Sequence, residues 1–234
     1  MIECKITGVD VSIEKNNSKL LGPVSFELTN SNCTIVLGPN GAGKTSLLRL
    51  LHGLDKPTTG SITWDPLAKI EEQSFVFQSP VILKRNVIEN VYSPLMLKGT
   101  SKKEAITQAE YWLERISLDH KAYAPAISLS GGEKQRMVMA RSLISDPKLI
   151  FLDEPTVNLD GKSKSQIEEL LKHVINNGTK IIMATHDLGQ AKRLGNDILF
   201  LHHGKLLEVG SAASFFKNPK TKEGLTFLRG EILQ

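Results

Sequence analysis

The stretch that most constrains this chain is GPNGAGKT, Gly38–Thr45. It fits the G-x-x-x-x-G-K-[S/T] pattern of a phosphate-binding turn. The context is the one such a turn requires: the apolar run CTIVL (Cys33–Leu37) precedes it, and a helical pattern over Lys44–His52 follows. Glycines let consecutive backbone N–H groups converge on phosphate oxygens. A strand that is apolar at every position suits a sheet covered on both faces. Two more apolar runs, KLIFLD (Lys148–Asp153) and KIIMATH (Lys180–His186), repeat the pattern, and helical stretches at Glu133–Ser145, Lys162–Asn176 and Leu188–Leu194 accompany them. Strands alternating with helices predict a parallel α/β sheet.

The remaining segments read differently. Ile2, Cys4 and Ile6, then Val9, Val11 and Ile13, alternate with period two, as do Val24, Phe26 and Leu28. Turn-rich breaks at Glu14–Lys19 and Asn30–Asn32 separate them, so an antiparallel β layer is expected. Between Pro80 and Ser128 the pattern turns helical. Ser101–Glu104 reads as a capping box, and Ile106, Ala109, Tyr111, Trp112, Leu113 and Ile116 supply an apolar stripe. After Asp197, ILFLHHGKLLEVG reads as a hairpin turning near His203–Gly204. Met137 and Met139 read as packing residues.

Composition excludes several classes. With 234 residues, 40% hydrophobic and 23% charged, the chain suits one large domain with a buried core. The net charge of +4 lacks any Lys/Arg run long enough for a nucleic-acid tail. Cys4 and Cys33 lie in strand-like segments and read as isolated buried thiols. The first ten residues, MIECKITGVD, have no apolar signal core. No window approaches the roughly 20 apolar residues of a membrane span, so any membrane role must come through a partner. A cytoplasmic protein is expected.

Three motifs carry chemistry. In the phosphate turn, Lys44 offers positive charge to β/γ-phosphates and the Thr45 hydroxyl offers a ligand to Mg²⁺. LIFLDE (Leu149–Glu154) sets two carboxylates at a strand end: Asp153 to hold Mg²⁺, and Glu154 to orient or deprotonate an attacking water. A pair of solvated acids is the bland alternative, weakened by the apolar strand and the phosphate turn upstream. ISLSGGEKQR (Ile127–Arg136) opens a helix with Ser130 and Glu133 as a cap, which leaves Gly131 and Gly132 unexplained. Small residues there admit another molecule to the helix N-terminus. A surface helix terminus gives only about 0.3–1 kcal/mol toward an anion, and millimolar affinity needs roughly 4 kcal/mol. Such a terminus therefore works only as half of a composite site, whose other half could be the Gly38–Thr45 turn of another copy.

These residues resemble the ABC-type ATPases, the nucleotide-binding subunits of ABC transporters. LSGGEKQR is similar to the family signature, and the motif order matches over essentially the whole chain. The resemblance implies a P-loop NTPase core with a parallel sheet, an antiparallel β subdomain and a helical insertion. It implies one domain over 1–234, with an α/β core and β layer at 1–79 and 129–234 and a helical subdomain at 80–128. It implies ATP and Mg²⁺ as ligands. Gly38, Pro39, Asn40, Gly41, Ala42, Gly43, Lys44, Thr45 and Ser46 would bind the nucleotide. Two copies would stack head to tail, so that Ser130, Gly131 and Gly132 touch the γ-phosphate of the partner's ATP.

By the same resemblance, Gln78 matches a glutamine that reaches Mg²⁺ or the attacking water. Asp160 matches an aspartate that touches the opposite subunit, and it also suits an N-cap. His186 matches a histidine that contacts the γ-phosphate. His52, His120, His173, His202 and His203 have no such context. The family places an aromatic residue on adenine in the first β segment; from Val9 to Leu21 there is none, and Ile13, near the expected place, offers only apolar contact. The implied partners are a second copy, an integral-membrane permease with Ser79–Val91 lining its docking surface, and indirectly a solute-binding protein. No nucleic acid is implied. The protein would sit on the inner face of the cell membrane through the permease.

Three segments are similar to tungstate importer ATPases: FVFQSPVILKRNVIENV, THDLGQAKRLGNDILFLHHG, and the tail carrying SFFKNP and FLRGEIL. They imply an oxyanion importer, tungstate first, molybdate or phosphate behind it. A non-transport ABC ATPase of DNA repair or translation usually has a coiled-coil insertion or two cassettes, and neither is evident here. A generic P-loop kinase or GTPase leaves Ser130–Gly132 unexplained.

Overall fold

A computed structural model describes residues 6–15, 18–28, 31–64 and 72–231. Its main sheet explains the apolar runs. Strands β3 (Cys33–Leu37), β6 (Leu149–Asp153), β7 (Lys180–Thr185) and β8 (Asp197–His202) each feed two cores, one per face. Ile35, Ile150, Met183 and Phe200 face one core; Val36, Phe151, Ile182 and Leu199 face the other. Alternation is hidden because both faces are dry.

With β5 (Gln73–Val76) and β9 (Lys205–Ser211), these strands form a six-stranded sheet in the order β5-β6-β7-β3-β8-β9. All neighbours are parallel except β8 and β9. The β8–β9 hairpin turns at His203 and Gly204, with φ of 47° and 71°, the left-handed pair that a two-residue turn of this hand requires.

The antiparallel layer has three strands, β2 (Ser18–Leu28), β1 (Ile6–Lys15) and β4 (Thr59–Trp64). Simple alternation fails in β1. Asp10 has φ 49° and the register shifts between Gly8 and Val11, so Val9 turns out to solvent while Ile6 and Val11 are buried. Cys4, Ile2 and Asn30 lie outside the described residues. Cys33 is a free buried thiol, pushed up to about 12 by burial.

Helix α1 (Lys44–His52) lies against the second core. Helices α2 (Val87–Leu97), α3 (Lys102–Arg115), α4 (Gly131–Leu143), α5 (Gly161–Asn176) and α6 (Leu188–Leu194) serve the first. Two short helices, α7 (Ala212–Lys217) and α8 (Lys222–Leu228), follow β9. Helix α4 opens on the cap expected from the sequence, Ser130 and Glu133: the Ser130 hydroxyl accepts the Glu133 N–H at 3.4 Å, and Glu133 Oε2 accepts the Ser130 N–H at 2.9 Å. Ser101 likewise accepts the Glu104 N–H at 3.3 Å at the start of α3. On α3 the buried stripe is Ala105, Ala109, Leu113 and, just beyond, Ile116; Tyr111, expected on it, is exposed and carries Arg115 over its ring. Met137 and Met139 are fully buried, as expected of packing residues. Among the described residues no helix is long and apolar enough to cross a membrane.

Candidate nucleotide site

The parallel register brings Leu37, Asp153 and Thr185 to one edge of the sheet. A crevice at the carboxyl ends of the strands follows, where open α/β sheets bind ligands. The Gly38–Thr45 turn leaves β3 there and runs into α1 through Gly43, whose φ of 97° caps the helix and whose Cβ position lies 2.9 Å from the Leu20 carbonyl. A cavity of about 600 Å³ opens over this turn, lined by Asn40, Gly41, Gly43, Lys44, Thr45 and Ser46 on one side and by Gln78, Glu154 and His186 on the other.

The charged groups in it are tightly arranged. Lys44 Nζ donates to the carbonyls of Gly38 at 2.9 Å and Pro39 at 3.0 Å, and pairs with Glu154 Oε1 at 3.0 Å. Both side chains are buried, 5% and 8% exposed. Glu154 Oε2 faces His186 Nδ1 at 2.7 Å. Glu154 is held in a left-handed conformation, φ 47°, with its N–H on the Ala184 carbonyl at 3.0 Å. Such backbone persists only when its surroundings impose it; here the Ala184 bond continues the β6–β7 ladder to Glu154 N, and the chain turns out of β6 at Glu154. The Thr45 hydroxyl donates to Asp153 Oδ1 at 3.1 Å. Burial raises the Asp153 pKa, opposed by the Thr45 hydrogen bond.

The donor set near Thr45 fits a hard cation. A hydroxyl and a carboxylate in contact, with the Gln78 amide on the same cavity, are oxygen ligands of the kind Mg²⁺ takes. Among the described residues no cluster of three or more acidic, histidine or cysteine side chains forms an all-protein metal cage.

Ser130, Gly131 and Gly132 do not line this cavity. Ser130 and Gly131 are exposed, and a Cβ on Gly131 would meet nothing within 4 Å. Gly132 also has a packing reason inside the chain: a Cβ there would lie 2.3 Å from Ser163 Oγ on α5. Asp160 is the N-cap of that helix, accepting from Ser163 N at 2.9 Å and Ser163 Oγ at 2.8 Å, bonds that hold its carboxyl below the usual range.

Sequence reasoning missed Lys19, Leu20 and His203, which line the cavity. Ile13 is not among the lining; it packs against the second core. His203 reads locally as turn chemistry. The tertiary bond from Gly204 N–H to Ala42 O at 3.1 Å sets that turn against the phosphate loop, and Gly204 O accepts the Gly22 N–H of β2 at 2.7 Å.

Residues 21–157 match the ABC transporter family. The arginine transport ATP-binding protein ArtM of Bacillus subtilis is 32% identical over 222 residues, covering 90% of this chain and 92% of the relative. The tungstate uptake system ATP-binding protein TupC of Peptoclostridium acidaminophilum is 33% identical over 91% of this chain and all of that protein, 100%. Among solved structures, cbiO1 from Clostridium perfringens, described as part of the ABC transporter complex cbiONQ, superposes with a TM-score of 0.78 at 25% identity, covering 91% of this chain and 90% of the other. The phosphate turn, the paired carboxylates beyond an apolar strand and these likenesses agree: the chain belongs to the ABC transporter family as an ATP-binding subunit, an ATPase coupled to transport.

Proposed function

We propose that this chain drives solute import by hydrolysing ATP at a head-to-tail seam between two copies. The observation that carries this reading is the split of the machinery. Lys44, Thr45, Glu154 and His186 converge on one cavity, with the buried Asp153 bonded to Thr45, while the helix entrance at Ser130 and Gly131 faces solvent with room for an approaching molecule.

In this reading the backbone of Gly38–Ser46 and Lys44 hold the phosphates. Glu154 takes the proton of the attacking water, and His186, bonded to Glu154 at 2.7 Å, contacts the γ-phosphate. Thr45, Asp153 and Gln78 would hold Mg²⁺, which when bound neutralises phosphate charge. Ser130, Gly131 and Gly132 of the partner copy complete the γ-phosphate shell, and Asp160 touches the partner while capping α5. Lys44 must leave Glu154 for the phosphates, so nucleotide entry frees the carboxylate to act as a base.

Beside Gln78, an apolar groove of about 550 Å³ runs between Phe77, Val81, Met96 and Leu97. Val81 and Leu97 are 73% and 90% exposed. This surface suits an apolar helix of an integral-membrane permease, and its link to Gln78 through adjacent Phe77 suits transmission of site closure. The chain would thus lie on the inner membrane face. The division into a core at 1–79 and 129–234 with a helical subdomain at 80–128 belongs to the same proposal.

For the solute we favour tungstate or a related oxyanion, supported by the likeness to TupC. The comparable likeness to ArtM favours a second reading, amino-acid import. Titrating the cognate solute-binding protein with tungstate, molybdate, phosphate, sulfate and arginine decides between them. Submicromolar binding of an oxyanion supports the first reading, and binding of arginine alone refutes it.

A further inference from the structure

The contact between Glu154 and His186 is one side of a closed ring. His186 follows the end of β7 and its side chain is 43% exposed. Its position therefore depends on the backbone around it. On one side, Thr185 Oγ1 accepts the Asp187 N–H at 3.0 Å. On the other, Asp187 Oδ1 accepts the Gln190 N–H at 2.9 Å and caps α6. Gln190 then reaches across: its Nε2 donates to Thr156 Oγ1 at 2.9 Å, wholly buried, two residues beyond Glu154. The ring closes through the turn at Glu154, where the Val157 N–H bonds the Glu154 carbonyl at 3.2 Å.

Gln190 is a costly way to fill this space. It is 1% exposed, and among the described residues its Oε1 has no hydrogen-bond partner. A buried acceptor left unpaired destabilises a fold, and an apolar side chain of similar length avoids that cost. Packing alone does not explain the amide; its bond to the turn that carries Glu154 does.

We propose that Gln190 is a positioning residue. Through Thr156 it fixes the α6 entrance to the Glu154 turn and so holds His186 at hydrogen-bond distance from the catalytic carboxylate. The inference rests on the assignment of Glu154 and His186 as the working pair. Small misplacements of reacting groups cost up to about a hundredfold in rate, so partial loosening of this pair should be visible in kcat.

The test uses the full chain, measuring ATP hydrolysis and thermal unfolding. Gln190→Met should keep or raise the unfolding temperature, leave the KM for ATP within about twofold, and lower kcat about tenfold. Thr156→Val should lower kcat alike, Thr156→Ser should restore it, and the Gln190→Met/Thr156→Val double variant should be no slower than either single. Unchanged kcat in Gln190→Met, or fully additive losses in the double variant, overturns the proposal. A lower unfolding temperature with wild-type kcat assigns Gln190 a structural role only and also overturns it. His186→Ala separates the two levels. If that variant keeps wild-type kcat, the underlying assignment fails; if it is inactive while Gln190→Met is fully active, only the bridge fails.

Discussion

Glu154→Gln tests the dual use of one carboxylate. The substitution preserves shape and removes the charge that faces Lys44 at 3.0 Å and His186 at 2.7 Å. Two unit charges at that separation attract by about 5 kcal/mol at an effective dielectric near 20. The net stake is smaller, because desolvation offsets much of it and Lys44 keeps its bonds to the Gly38 and Pro39 carbonyls. If a quarter of it opposes nucleotide entry, removing the charge strengthens ATP binding by about 1.4 kcal/mol, tenfold in Kd. Loss of the base should lower kcat by about 10²–10⁴. Calorimetric titration with ATP and a phosphate-release assay measure the two effects on the same preparation. Hydrolysis at the wild-type rate refutes the base. Weaker binding refutes the competition between Glu154 and phosphate for Lys44.

Three further outcomes are expected. Gly132→Ala should destabilise the chain by about 1–3 kcal/mol, because its Cβ meets Ser163 Oγ at 2.3 Å, whereas Gly131→Ala, which meets nothing, should be neutral or stabilising by up to about 1 kcal/mol in thermal unfolding. Lys121 and the Ser130 N–H hold the Glu133 carboxyl down to about 2 from an ordinary 4.5, so its contribution is complete above pH 4.5 and is lost as pH falls toward 2; Lys121→Met should flatten that part of the acid unfolding profile. Asn90→Leu should cost about 2–4 kcal/mol, since the fully buried amide donates to the carbonyls of Leu83 and Asn86 at 3.1 and 3.0 Å and accepts the Leu83 N–H at 2.9 Å.

Much of the architecture was legible in local pattern. The bounds of β3, α1 and α6 agree with the sequence reading because each has hard punctuation: a glycine turn after Leu37, Gly53 after His52, and Asp187 before Leu188. The hairpin at His203–Gly204 was readable for the same reason. What stayed hidden depends on distant chain. Strand β4, TGSITW, has no strong alternation and is half-exposed along an edge, so only its pairing with β1 defines it. Asn90 is an ordinary helix residue until the 83–86 loop wraps over it. The site's chemistry showed in its motifs, but the geometry that gives it meaning did not. The left-handed turn of Glu154, the Lys44 pair, the Ser163 contact under Gly132 and the approach of His203 to the phosphate loop all arise between segments far apart in sequence.

The shared site is tested most directly by the mass of the Glu154→Gln protein in solution, measured by light scattering with and without ATP. The account expects a monomer alone, a dimer with ATP, and no dimer when Ser130→Arg is added, although that double variant still binds nucleotide. Undiminished ATP hydrolysis by wild-type protein that remains monomeric at every concentration would contradict it.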